Sequence, residues 1–292
     1  MTSPTGSAGR TAFVLAGGGS LGSVQVGMLR ALVLHGLSPD LVVGASVGAI
    51  NGAFFAGRPD AVGVQQLEEI WQGIRRRDVF PLAPLANLRG FFSRPDHLVS
   101  PRALRRLIER NFPYDRLEST PLPAHVIATD LLTGAEVRLS SGSAVEALLA
   151  SAAIPAIFPP VRIGKLHLVD GGVANNTPIS VAAELGAERI VVLPTGHPCS
   201  IDEPPSGILA MALHALNLLI ARQLLVDLER FAGRAKLLVV PPLCPLAVGA
   251  HDFSHNRELI ERAAESTRLW IEGGGLDRQT DPGPLEPHSH RH

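Results

Sequence analysis

Three short stretches hold residues whose types and spacing could do chemistry. The first is Gly44-Ala45-Ser46-Val47-Gly48, a GxSxG pattern between an apolar strand pattern and a helical one. A tight strand-to-helix turn forces such a serine into a strained conformation that projects its Oγ, while the flanking glycines avoid clashes. Ser46 is therefore the candidate nucleophile. The second is Gly17-Gly18-Gly19-Ser20-Leu21-Gly22, directly after a strand pattern and at the mouth of a helix. Glycines let the backbone turn sharply and aim N–H groups outward, and the helix end adds its partial positive charge. Such a loop holds a phosphate or a developing oxyanion. The third is Leu168-Val169-Asp170-Gly171-Gly172, where a carboxylate ends a strand pattern, the position at which active-site residues of parallel sheets gather.

A serine nucleophile needs a base. Asp170 is one candidate, although an Asx-type turn before Gly171-Gly172 is its plain structural explanation. A histidine is the other, as in a Ser-His-Asp esterase; His251 and His255 fit, whereas His214 lies within an apolar helical pattern. Against that triad, folds that use it place the elbow after several strands, and Ser46 follows only the second. The glycine loop also satisfies the GxGxxG dinucleotide pattern. That reading expects an acidic residue at the end of the second strand to hold a ribose. Here the second strand runs into the GxSxG turn, and the nearby Asp40 sits at its other end. Dinucleotide binding loses its main support.

These residues need elements to position them. Apolar runs at 11–16, 40–43, 124–129, 135–139, 166–169, 189–193 and 235–240 read as strands. Helical patterns occupy 21–35, 47–56, 61–76, 101–110, 144–152, 178–185, 207–231 and 254–272. Short apolar runs alternating with helices predict an α/β fold, a largely parallel sheet covered on both faces in a three-layer α/β/α arrangement. The expected organisation is a tail at 1–10, one domain at 11–275 and a second tail at 276–292. The segment 80–100 breaks the rhythm with Pro81, Pro84 and Pro95 beside Phe80, Phe91 and Phe92, the composition of a lid or binding surface. The helix from Ile208 is apolar almost all round, which predicts burial beneath the sheet or in a protein interface.

The chain's 292 residues suffice for a substantial core. With 26 Lys and Arg against 27 Asp and Glu there is no basic excess to follow a phosphate backbone, and aromatic residues at 4% supply no stacking platform, so nucleic acid is excluded as a partner. Cys199 and Cys244 show no ligand spacing; free thiols are expected, with no metal and no cofactor. No apolar run is long enough to span a bilayer. A cytoplasmic protein is expected, with oligomeric state left open.

Taken together, the three stretches resemble the patatin-like phospholipase family, whose signatures are a glycine-rich oxyanion loop, a GxSxG elbow and a later Asp-Gly-Gly/Ala, in that order. Ser151-Ala-Ala-Ile-Pro-Ala-Ile-Phe-Pro-Pro160 and Asp170-Gly-Gly-Val-Ala-Asn-Asn-Thr-Pro178 are similar to further family blocks. The resemblance covers residues 11 to 195 well. It implies a patatin-like fold, a Ser46–Asp170 catalytic dyad with no histidine in the chemistry, an oxyanion hole from Gly17, Gly18 and Gly19, and lipid or phospholipid esters as substrates. Gly22, Gly44, Gly48, Gly171 and Gly172 complete the motifs. Many members carry Arg or Lys where this loop has Leu21, which leaves the Gly18 and Gly19 amides as principal donors. An apolar acyl groove is expected from the 80–98 segment or from 208–220. The helix at 101–110, with Arg102, Arg105, Arg106 and Arg110 on one face and Leu104, Leu107 and Ile108 on another, offers a surface for peripheral membrane contact. A catalytically weak lipid- or protein-binding module is the alternative from a different functional class.

Overall fold

The computed structural model describes residues 9–81, 97–196, 207–244, 246, 248–281 and 283–285. The strands are β1 (Thr11–Leu15), β2 (Leu41–Ala45), β3 (Ala124–Asp130), β4 (Glu136–Leu139), β5 (Val161–Ile163), β6 (Leu166–Asp170), β7 (Arg189–Leu193) and β8 (Lys236–Val239). The helices are α1 (Gly22–Leu34), α2 (Val47–Gly57), α3 (Ala61–Gly73), α4 (Arg76–Val79), α5 (Arg102–Asn111), α6 (Ala144–Ser151), α7 (Gly172–Asn175), α8 (Ile179–Glu184), α9 (Ile208–Phe231) and α10 (Asn256–Glu272). The sheet order is β5-β6-β3-β2-β1-β7-β8, with β4 also on β3. From β3 to β8 the strands are parallel, and β4, β5 and β6 run antiparallel to their neighbours.

Both faces of the parallel part are buried. Phe13 and Leu15 of β1 face α1, α3 and α10, where Met28, Leu67, Trp71 and Ile260 close over them. Ala12 and Val14 face the other way, under Ile179 of α8 and Leu228 and Phe231 of α9. Each large apolar side chain so buried contributes about 1.5–3 kcal/mol. The expected three layers are thus built by strand alternation.

One strand has three partners on two edges. β4 takes residues 126–129 of β3 on one edge. β2 takes residues 124–127 on the other, and β6 continues along that same edge from Ala128 to Asp130. Because β2 runs parallel to β3 and β6 antiparallel, their C-terminal ends meet head-on. Ala45 pairs with Ile127, and Asp170 pairs with the next residue, Ala128.

Several expectations need correction. β5 was not legible, because three residues behind Pro159-Pro160 show no alternation; it forms a hairpin with β6 through Gly164, at φ 61°. Among the described side chains of α9, Asp227, Leu228 and Phe231 in its last turns are buried while Met211, Leu218, Leu219 and Val226 are exposed, so the helix is not buried beneath the sheet along its whole length. Its 24 residues span about 36 Å, roughly twice the length of a five-residue strand, so the sheet covers only one end. Cys244 is held in a disulfide rather than free; the chain's other cysteine, Cys199, lies outside the described residues.

The segment expected as a tail from 276 begins as part of the fold. β8 is the sheet edge, and its exposed N–H groups need acceptors. Gln279 Oε1 accepts from Leu237 N–H at 3.1 Å, Thr280 Oγ1 from Val239 N–H at 2.6 Å, and Thr280 N–H donates to Leu237 O at 3.0 Å. Leu285 is buried in the core beside them. Arg10, assigned to the other tail, accepts from the Glu188 and Arg189 amides ahead of and at the start of β7. Thr280→Val removes one acceptor and leaves a strand amide unpaired; it should cost about 1–3 kcal/mol in urea denaturation.

Candidate active site

The β2–α2 turn holds Ser46 at φ 54° and ψ −127°, a region that side chains other than glycine rarely enter. Such a conformation costs on the order of 1–3 kcal/mol and persists only where the surroundings enforce it. The two motif glycines are part of that enforcement. A Cβ on Gly44 would overlap the Gly48 carbonyl, and one on Gly48 would overlap the Leu15 carbonyl of β1. Their absence lets α2 start directly against the sheet.

Ser46 Oγ donates a 2.7 Å hydrogen bond to Asp170 Oδ2. The carboxylate's other oxygen, Oδ1, accepts from Gly172 N–H at 2.7 Å, and Thr129 Oγ1 donates to the Asp170 carbonyl at 2.8 Å. Burial pushes the Asp170 carboxyl up to about 6, partly offset by the Ser46 hydroxyl and the Gly172 amide. The carboxylate is therefore a stronger proton acceptor than an exposed aspartate, yet largely ionised at neutral pH.

The glycine loop lies beside this pair, and its three candidate donors differ. Gly17 N–H donates to Asn176 O at 3.2 Å, so that amide is committed within the fold. The Gly17 carbonyl in turn accepts from Thr195 Oγ1 at 2.7 Å. Gly18 and Gly19 amides have no hydrogen-bond acceptor among the described residues. Downstream, Ser20 N–H donates to Ala250 O at 2.8 Å. Leu21 is partly buried and packs against the core. A buried amide chain holds the loop from below. Gln25 Nε2 donates to Ala16 O and Leu193 O; Asn51 Nδ2 donates to Gly22 O and Gln25 Oε1; Trp71 Nε1 donates to Asn51 Oδ1.

Ser46 and Gly19 open onto an apolar cavity walled by Ile50, Phe54, Leu107, Phe158 and Phe253 among others. Phe80 belongs to this wall and stacks on Phe158 with centroids 5.7 Å apart. Residues 82–96 of the expected lid lie outside the described residues. α9, the other expected wall, is not part of the described lining. α5 turns Leu104, Leu107 and Ile108 inward to the cavity, so its apolar face is not free for a membrane, and Arg105 pairs with Glu146 at 2.7 Å. His255 sits between Asp252 and Glu258 at 3.7 and 3.2 Å, and His251 is exposed; neither hydrogen-bonds to Ser46 among the described residues.

Ser151, Thr129, Asn176, Thr195, Gln25 and Asn51 were not singled out as site residues from the sequence. Gln25, Asn51 and Ser151 are fully buried polar side chains within apolar helical stretches, which is the one signal that could have marked them.

The arrangement defines a class: a three-layer α/β/α protein with a left-handed serine turn hydrogen-bonded to a buried carboxylate beside a glycine loop. A family model described as Patatin-like phospholipase matches residues 13–183, more than half of the chain. The chain belongs to the patatin-like phospholipase family. It is 30% identical over 188 residues to patatin-like phospholipase domain-containing protein 6 of Homo sapiens, covering 63% of this chain and 13% of that protein. It is 34% identical over 188 residues to an uncharacterized NTE family protein of Mycobacterium tuberculosis, covering 63% of this chain and 30% of that protein. The chain thus matches only a minor part of these curated relatives. Its fold is similar to that of human GIVD cytosolic phospholipase A2, solved with a fluorophosphonate inhibitor. That likeness has a TM-score of 0.52 at 12% identity, covering 91% of this chain and 58% of the other.

The raised Asp170 carboxyl has a thermodynamic signature. Its folded value lies above the unfolded one, so the folded state holds its proton longer, and stability falls as pH rises from about 4 through about 6. Asp170→Asn does not titrate. It should gain thermal stability relative to the wild type across that window, on the order of 3 kcal/mol by pH 8, with the difference shrinking toward pH 4 in pH-dependent melts.

Proposed function

We propose that this chain is a serine lipid acyl hydrolase that cleaves carboxylic ester bonds with Ser46 as nucleophile and Asp170 as general base. The observation that carries this is the 2.7 Å hydrogen bond from Ser46 Oγ to Asp170 Oδ2 at an apolar cavity. Asp170 takes the hydroxyl proton as Oγ attacks the ester carbonyl. The Gly18 and Gly19 amides stabilise the oxyanion of the tetrahedral intermediate. Collapse expels the alkoxide, which leaves with the proton from Asp170. Water then attacks the acyl-serine, giving its proton to Asp170, and the second collapse frees the acid and restores Ser46. Burial supports this assignment, because it raises the basicity of Asp170 at no cost in extra residues. The cavity lining fits an acyl chain better than a polar substrate. The names of the relatives, a phospholipase domain protein among them, agree with lipid esters as the substrate class.

A fluorophosphonate should label the wild type and leave Ser46→Ala unlabelled. Hydrolysis of short acyl esters should rise about tenfold per pH unit below about 6 and level off above it, as Asp170 ionises. Asp170→Asn should lose that turnover while remaining folded. Ester hydrolysis retained by folded Ser46→Ala or Asp170→Asn would overturn the dyad. A collapse in His251→Ala or His255→Ala comparable with Ser46→Ala would point to a histidine base.

Peripheral contact with a lipid surface belongs to the same proposal, carried by α9 rather than α5. No formal charge occurs between Gly207 and Arg222, and Met211, Leu218 and Leu219 are exposed there. Phosphatidylcholine vesicles should sediment the wild type and release a Leu218→Glu, Leu219→Glu double variant. Equal sedimentation of the two would remove α9 from the contact.

A further inference from the structure

Ser151 ends α6 and is fully buried, yet its two polar groups reach both halves of the site. Its Oγ accepts the Ser46 N–H at 2.9 Å and donates onward to Ile127 O at 2.5 Å. Its carbonyl accepts the Gly171 N–H at 3.1 Å, immediately after Asp170. Two residues farther along, the Ala153 carbonyl accepts the Asp170 N–H at 2.9 Å. Ile127 is the β3 residue paired with Ala45, so the hydroxyl is anchored on the strand that both β2 and β6 abut. A Cβ on Gly171 would overlap that same Ile127 carbonyl, so the acid turn packs directly on the strand.

From this we propose that Ser151 is the positioning residue of the site, holding Ser46 in its left-handed turn with its hydroxyl and the Asp170 turn with its carbonyl. The reasoning is one of geometry. The Ser46 turn is strained at φ 54°, and relaxing it would swing Oγ away from Asp170. The Ser46 amide cannot join the sheet once β2 has ended, and Ser151 Oγ is its acceptor. A hydroxyl is required, because the same atom must accept from Ser46 and donate to Ile127; alanine can do neither. Ser151 touches no reacting atom and acts through Ser46 and Asp170. The inference rests on the acyl-hydrolase reading for its kinetic consequence, but the pin itself is measurable without turnover.

The test compares wild type, Ser151→Ala, Ser151→Cys and a control, Thr120→Val. The control removes another buried hydroxyl, whose bonds go to Leu117 O and Leu122 O. In Ser151→Ala, kcat for Ser46-dependent ester hydrolysis should fall by about 100-fold with KM within about twofold. The inflection of the pH–rate profile should also move upward, because Asp170 loses the Ser46 hydroxyl that partly offsets its desolvation. Ser151→Cys keeps a weak donor and acceptor and should recover part of the rate; it carries the comparison if the alanine variant fails to fold. Thr120→Val should lose stability without either kinetic change. Hydrogen exchange at the Ser46 amide should be slow in the wild type and fast in Ser151→Ala. An unchanged kcat and pH inflection in a folded Ser151 variant, or unchanged Ser46 exchange, overturns the positioning role. If exchange accelerates while the wild type shows no Ser46-dependent hydrolysis, the pin stands and the acyl-hydrolase reading falls.

Discussion

A β-strand has two hydrogen-bonding edges, and β3 has to serve three partners with them. The solution is that β2 and β6 share one edge, arriving from opposite directions and stopping at adjacent residues. Everything at the site depends on that collision. Two strands that end facing each other must both turn away, and the residues at the turns, Ser46 and Asp170, are brought within hydrogen-bonding distance. Neither side chain reaches far to find the other. The sheet's pairing register, and not a long flexible loop, sets their separation.

The same crowding explains why glycines cluster around the pair. α2 leaves β2 so abruptly that its first turn lies on the carbonyls of β1, a packing that tolerates no Cβ at Gly44 or Gly48. Close packing also removes water from Asp170. Desolvation and the short bonds from Ser46 and Gly172 pull its proton affinity in opposite directions, and desolvation wins. The fold therefore bears two local penalties, a strained serine and a buried carboxylate, which the apolar layers on both faces of the sheet offset.

Much of this was legible in the residues. The sequence pattern of β7 coincides with its observed bounds, and those of the other strands except β5 and of the longer helices lie within a few residues, because short apolar runs alternate with amphipathic or apolar helical stretches between clear turn signals. The three motifs stood out because glycine and serine spacing records backbone constraints directly. What stayed hidden is of another kind. β5 is too short to show a period, and the packing of α9 depends on how much sheet lies beneath it, a tertiary quantity. Residues 276–281 look like linker by composition, because Gln279 and Thr280 serve the fold with side-chain oxygens rather than with apolar bulk. The roles of Ser151 and Gln25 stay hidden for a related reason: a lone serine or glutamine in an apolar run signals burial but not its distant partners. The Gly17 amide, counted among the oxyanion donors, is bonded to Asn176, a residue 159 positions away.

The cover over β8 has a consequence for self-association. Among the described residues it bonds the strand through one backbone and two side-chain hydrogen bonds, with Leu285 seated in the core beside them. The segment shields β8 without being a strand of the sheet. Were the segment to peel away while the sheet stayed intact, β8 would become a template for another chain, and the molecule could polymerise from a nearly native state without first unfolding its core.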